Sequence, residues 1–138
     1  MFPFVGKPIN AYEQVSIGTS VNEADPHQLI LMLFEGASAA LKTARFAMQE
    51  GNIPLKGSSI SKAIDIIANG LGASLDENKG GDLALQLGAL YEYMVSRLLW
   101  ANLKNDLGVL KEVETLLGEI HEAWRQIDPA QIQQPPES

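Results

Sequence analysis

The stretch from Leu83 to Asp106, LALQLGALYEYMVSRLLWANLKND, limits what this chain can fold into more than any other part of it. It contains no proline, and its one glycine, Gly88, lies near its start, so a single long helix is predicted. At about 100° per residue, Leu83, Leu87, Leu90, Tyr91, Met94, Leu98 and Ala101 share one broad face, which is expected to pack in a core. An ordinary surface helix is polar on its other side. Here Ala89, Tyr93, Ser96, Trp100 and Leu103 line up there as a second apolar stripe, bordered by Gln86, Glu92, Arg97 and Lys104. A helix apolar on two sides is either central in its protein or built to receive a partner.

The rest of the chain supplies a frame for that helix. Pro3 and Pro8 keep residues 1–9 out of a helix, while Phe2, Phe4, Val5 and Ile9 make them an arm with apolar surface to bury. Asn10 is a predicted N-cap for a short helix over 11–16, with Tyr12 and Val15 on one side. Asp25 followed by Pro26 predicts the start of a long helix that Gly51 ends. Its main face carries Leu29, Ile30, Leu33, Phe34, Ala37, Leu41, Ala44 and Met48. Behind that face runs a second stripe of Met32, Gly36, Ala39, Thr43 and Phe46, in which Gly36 and Ala39 leave room for another backbone.

Residues 52–57 are expected to turn into a helix over 58–75, whose stripe of Ile60, Ala63, Ile64, Ile67, Leu71 and Leu75 has Ile66 as its main exception. Gly70 and Gly72 weaken that helix. DENKGGD at 76–82 reads as a turn, and Asn105–Asp106 as a break before a last helix over 107–127. Val109, Leu110, Val113, Leu116, Leu117, Ile120, Trp124 and Ile127 form the one apolar face of that helix, and Pro129 stops it. No strand pattern survives. The predicted fold is all-α: an antiparallel up-and-down four-helix bundle over 25–128, preceded by an arm and short capping helix over 1–24 and followed by a disordered tail over 129–138.

Composition removes whole classes of function. The chain has 138 residues and a formal charge of −7, an acidic balance that argues against nucleic acid as a partner. It has no cysteine, so disulfides, thiolate metal sites and cysteine nucleophiles are absent, in keeping with a reducing compartment. The N-terminal MFPFVGKPIN lacks the apolar run of a secretory signal, and no stretch approaches a membrane span, which points to a cytoplasmic protein without membrane insertion. The only histidines, His27 and His121, lack the Glu-x-x-His spacing of a di-iron bundle, and both read as solvated. Phosphoryl transfer through His121 is opposed by Glu119 and Glu122 beside it. There is no phosphate loop, nucleophile elbow or His-Glu-x-x-His motif, so no catalytic residues, metal ligands or cofactors are expected.

Particular strings then carry more than periodicity does. AYEQV at 11–15, DPHQLILMLFEGA at 25–37 and KAIDIIANGLGASLD at 62–76 are followed by GGDLALQLGALYEYM at 81–94, ANLKND at 101–106 and EVETLLGEIHEAW at 112–124. In that order and spacing, the chain resembles the FliS family of flagellar secretion chaperones over nearly all of residues 10–127. Phe34 stands where the family commonly has Tyr, and Gln86 where Asn is common.

The resemblance implies a cytoplasmic, non-enzymatic helical bundle that binds the disordered C-terminal segment of newly made flagellin. Such a chaperone prevents premature polymerisation and delivers its guest to the export gate of the flagellar type III apparatus. Other flagellar regulators are further expected partners, and the guest wraps the bundle while the chaperone's own N-terminal segment is displaced. Met32, Gly36, Ala39, Phe46, Tyr93, Trp100 and Leu103 are then the expected groove residues, and Tyr12 and Val15 the cap over the empty groove. Asn102, Asn105 and Asp106 either contact guest backbone or cap the helices they join. The alternative is a helical adaptor for another flagellar export substrate or regulator, using the same grooves.

Overall fold

A computed structural model of the protein describes residues 25–127. Within them α1 spans Pro26–Glu50, α2 spans Ile53–Asp65 and continues as a π-helical segment, Ile66–Gly72, α3 spans Glu77–Lys104, and α4 spans Leu107–Arg125. There is no strand among the described residues, and the fold is an all-α bundle. The expected N-terminal arm, the capping helix with Tyr12 and Val15, and the C-terminal tail lie outside them.

Two helix joints are built alike. The Asp25 carboxylate accepts the Gln28 N–H at 2.7 Å and starts α1, with Pro26 in its first turn. Gly51, at φ 75°, ends it, and the Asn52 N–H returns to the Ala47 carbonyl at 2.8 Å. Asn52 then caps α2 by accepting from the Leu55 N–H at 3.1 Å. At the end of α3, Asn105 takes the left-handed conformation, at φ 54°, and the Asp106 N–H reaches the Ala101 carbonyl at 3.0 Å. Asp106 caps α4 by accepting from the Val109 N–H at 3.1 Å. In each joint one residue stops a helix and the next starts another, leaving no slack in the turn.

These joints fix the topology. Lys56, 5% exposed, sends its ammonium from the first turn of α2 to the Asn102 carbonyl at 3.0 Å and to Asn105 Oδ1 at 3.1 Å. The α1–α2 and α3–α4 joints therefore lie at the same end of the bundle. At the other end, His27 in the first turn of α1 meets Trp124 in the last turn of α4. Their rings stack at 5.4 Å, His27 Nε2 lies 2.8 Å from the Trp124 carbonyl, and Trp124 Nε1 donates to the His27 carbonyl at 3.3 Å. The chain thus runs up, down, up and down. α1 packs on α2 and α4, α3 packs on α2 and α4, and α1 and α3 are diagonal.

The core fills the space between them with Phe34 and Leu41 of α1, Ile60, Ile67 and Leu71 of α2 and its extension, Met94 and Leu98 of α3, and Leu110, Val113 and Leu117 of α4. Burying each such side chain contributes about 1.5–3 kcal/mol.

Several expectations change. Residues 53–57 are helix, not turn, because Asn52 and Pro54 repeat the cap and proline of α1. The π segment adds a residue to one turn, shifting the helical phase so that Ile66 and Ile67 are both buried, which accounts for Ile66 falling off the stripe. Gly70 within it lies against Leu33, where a Cβ would stand 3.1 Å from Cδ2. The break expected over 76–82 narrows to Gly81, at φ 57° and ψ −134°, a conformation that favours glycine. Neither histidine is the freely solvated side chain expected: His27 is 5% exposed, and the half-buried His121 stacks its ring on Phe34 at 5.2 Å with Nε2 buried and without a partner among the described residues. Leu29 and Leu83, expected in the core, are exposed at the helix starts.

Candidate binding faces

Large apolar side chains in water are the most unusual feature of the bundle's surface. Folding gains nothing from leaving them there. Along α3, Tyr93 is 43% exposed, Trp100 45% and Leu103 77%, while Tyr91, Met94, Leu98 and Ala101 of the same helix are buried. The helix is apolar on both sides, and only one of them is used by the core.

Trp100 stands in an open hollow of about 320 Å³, together with Ser96, Arg97, Leu99 and Leu103. Leu99, also largely exposed, was not assigned to either face from sequence. It lies about 100° from Trp100 on the wheel, between the two stripes. The Lys104 ammonium sits over the Trp100 ring, 5.4 Å from its centroid.

A polar network holds the flank of this face against α4. The Tyr93 hydroxyl donates to Glu112 Oε2 at 2.5 Å, and Arg97 Nε donates to Glu112 Oε1 at 3.1 Å. The Tyr93 hydrogen bond, assisted by Arg97, holds the Glu112 carboxyl below its ordinary range; bonding to that carboxylate in turn raises the Tyr93 phenol.

The stripe expected on α1 divides. Phe46, 59% exposed, and Ala39 face water. Met32 is half-buried, and Gly36 is turned toward the π segment, where a Cβ would meet Ile66 Cδ1 at 3.4 Å. Ala39 also lines a second open hollow, of about 490 Å³, between α1 and α4, with Glu35, Ser38, Lys42, Glu114, Gly118 and His121. Arg45 pairs with Glu114 across the same two helices at 2.8 Å.

Because α1 and α3 are diagonal, their outward faces lie on opposite sides of the bundle. The residues expected from sequence to share a groove are thus brought together as two sets: Ala39 and Phe46 on one side, and Tyr93, Trp100 and Leu103 on the other. Asn102 and Asn105 accept from Lys56, through a carbonyl and a side chain respectively, and Asp106 caps α4, so all three have structural duties. Among the described residues there is no cluster of potential metal ligands, and no helix is long and apolar enough to cross a membrane.

Among the described residues the bundle thus has an ordinary core and two apolar faces that no other described element covers. The sequence model of the family described as "Flagellar protein FliS" matches residues 8–131. The flagellar secretion chaperone FliS of Salmonella typhimurium is 52% identical over 126 residues, covering 91% of this chain and 93% of that protein. The flagellar secretion chaperone FliSB of Pseudomonas aeruginosa is 48% identical over 86% of this chain and 93% of its own length. FliS of Bacillus subtilis is 37% identical over 88% of this chain and 86% of its own. The chain belongs to the FliS family.

Proposed function

We propose that this protein is a cytoplasmic, non-enzymatic export chaperone for flagellin. It binds the disordered C-terminal segment of flagellin, prevents premature polymerisation, and delivers its guest to the export gate of the flagellar type III apparatus. The observation that carries this reading is the exposure of Phe46, Tyr93, Trp100 and Leu103 on the outward faces of two diagonal helices. Membership of a family whose relatives are named flagellar secretion chaperones supports a flagellar export substrate as the guest.

The physical argument runs from ordering cost to shape. A disordered segment loses conformational entropy on docking and offsets it by burying apolar surface over a long path. Helix-in-groove docking uses apolar residues at helical spacing, and both faces offer them. A guest that touches both faces has to round the bundle. With axes about 10 Å apart and side chains reaching about 5–6 Å from each axis, half a circuit is roughly 40 Å, or about 12 extended residues. Masking is stoichiometric, one guest held by one chaperone, and needs no catalytic group.

Phe46→Asp and Trp100→Asp test the reading. Each places a charge on a face meant to be covered by apolar guest atoms. Loss of binding to a flagellin C-terminal peptide with an intact helical melt supports these faces as the guest's groove, and unchanged affinity in both variants sinks that assignment.

A further inference from the structure

The outward face of α3 is not only apolar. Its border carries Glu92 and the two cations Arg97 and Lys104, in a chain whose formal charge is −7. The two cations stand on either side of the Trp100 hollow: Arg97 lines it, and the Lys104 ammonium lies over the indole.

Their charges are not equally spent. Glu112, the carboxylate nearest Arg97, has both oxygens engaged, one by Tyr93 and one by Arg97 Nε. Arg97 is thus taken up with Tyr93 and Glu112 in one network among the described residues. Lys104 has no carboxylate partner among them. Lys104 is therefore the cation at this face whose charge is left unmet among the described residues, and it stands beside the exposed Leu103.

We propose that this face selects its guest by charge as well as by apolar burial. It takes an amphipathic helix that carries a carboxylate side chain on the edge of its apolar face, received by Lys104. The inference rests on the chaperone reading above and names the chemistry of the guest at one of its two faces. Apolar residues of the guest fill the hollow around Trp100, Leu99 and Leu103. The carboxylate fixes the register and direction in which the guest helix lies, which apolar contacts alone leave loose.

The test is a calorimetric double-mutant cycle on the full chain. One peptide covers the flagellin C-terminal segment; a second has its Asp and Glu replaced by Asn and Gln. Lys104→Gln weakens binding of the first by about twofold to fivefold at low salt, the range of a solvent-exposed ion pair, and the difference shrinks toward none at about 1 M salt. The neutral peptide does not distinguish the wild type from Lys104→Gln. Because Lys104 is exposed, the variant is expected to keep the wild-type melt.

The failures separate. If the acidic peptide does not bind the wild type, the chaperone reading itself falls. If binding depends on Trp100→Ala but neither on Lys104→Gln nor on the peptide's charge, the face is a guest site and the charge inference is overturned.

Discussion

Leu103→Ala separates folding from binding more sharply than any other single change. Leu103 is 77% exposed, so in the free protein the substitution removes almost no packing. Alanine is at least as good a helix former, so stability should stay within about 0.5 kcal/mol and the melting temperature within about 2 °C. In the complex the same side chain is meant to be covered. Fully burying a leucine is worth about 1.5–3 kcal/mol, so covering its exposed part is worth roughly 1–2 kcal/mol. The dissociation constant for a flagellin C-terminal peptide should rise about fivefold to thirtyfold. Calorimetry and a circular-dichroism melt on the same sample read both quantities. Phe46→Ala should act alike on the diagonal face, and the two effects should add, since the sites share no neighbours. A dissociation constant unchanged within twofold, or a melting temperature lowered by more than about 5 °C, would refute the reasoning.

Other consequences concern the frame that holds these faces. Lys56→Met leaves the Asn102 carbonyl and Asn105 Oδ1 without their donor and should cost about 1–3 kcal/mol, read as a lower urea midpoint at unchanged slope. His27→Ala removes the stack on Trp124 and the ring's approach to its carbonyl; amide exchange should quicken at the start of α1 and the end of α4, and stay slow near Lys56. Asp106→Ala deletes the cap of α4 and should cost about 0.5–2 kcal/mol by denaturant titration. Tyr91, 5% exposed, has its phenol pushed by burial from 10.0 to about 12. The folded state holds that proton more tightly than the unfolded one. Its contribution is therefore fully present below about pH 10 and should be lost between about pH 10 and 12, by on the order of 2 kcal/mol; a flat alkaline titration of stability over that window contradicts it.

Periodicity and caps made most of the bundle legible in the sequence. Asp25–Pro26, Gly51 and Asn105–Asp106 announce helix ends with residues whose geometry allows little else, and the structure uses each in that way. The start of α2 is legible too: Asn52 and Pro54 carry the same signal, and the residues expected as a turn sit within the helix. The π segment was not legible, because an i→i+5 turn is set by tertiary packing. Its traces were Ile66 off the stripe and the weak helix formers Gly70 and Gly72.

Histidine burial was hidden for another reason. His27 meets a tryptophan 97 residues away, and His121 meets Phe34 on another helix, contacts that no local pattern encodes. The two-sided character of α1 and α3 was visible from the wheel. What sequence could not give was their diagonal placement, which divides one expected groove into two faces and gives Asn102, Asn105 and Asp106 structural duties.

Calorimetric titration of the purified chain with a peptide covering the flagellin C-terminal segment, repeated at several temperatures, tests the central claim most directly. The account expects one-to-one binding with a negative heat-capacity change, the mark of apolar surface on α1 and α3 leaving water. A folded protein that shows no binding contradicts it.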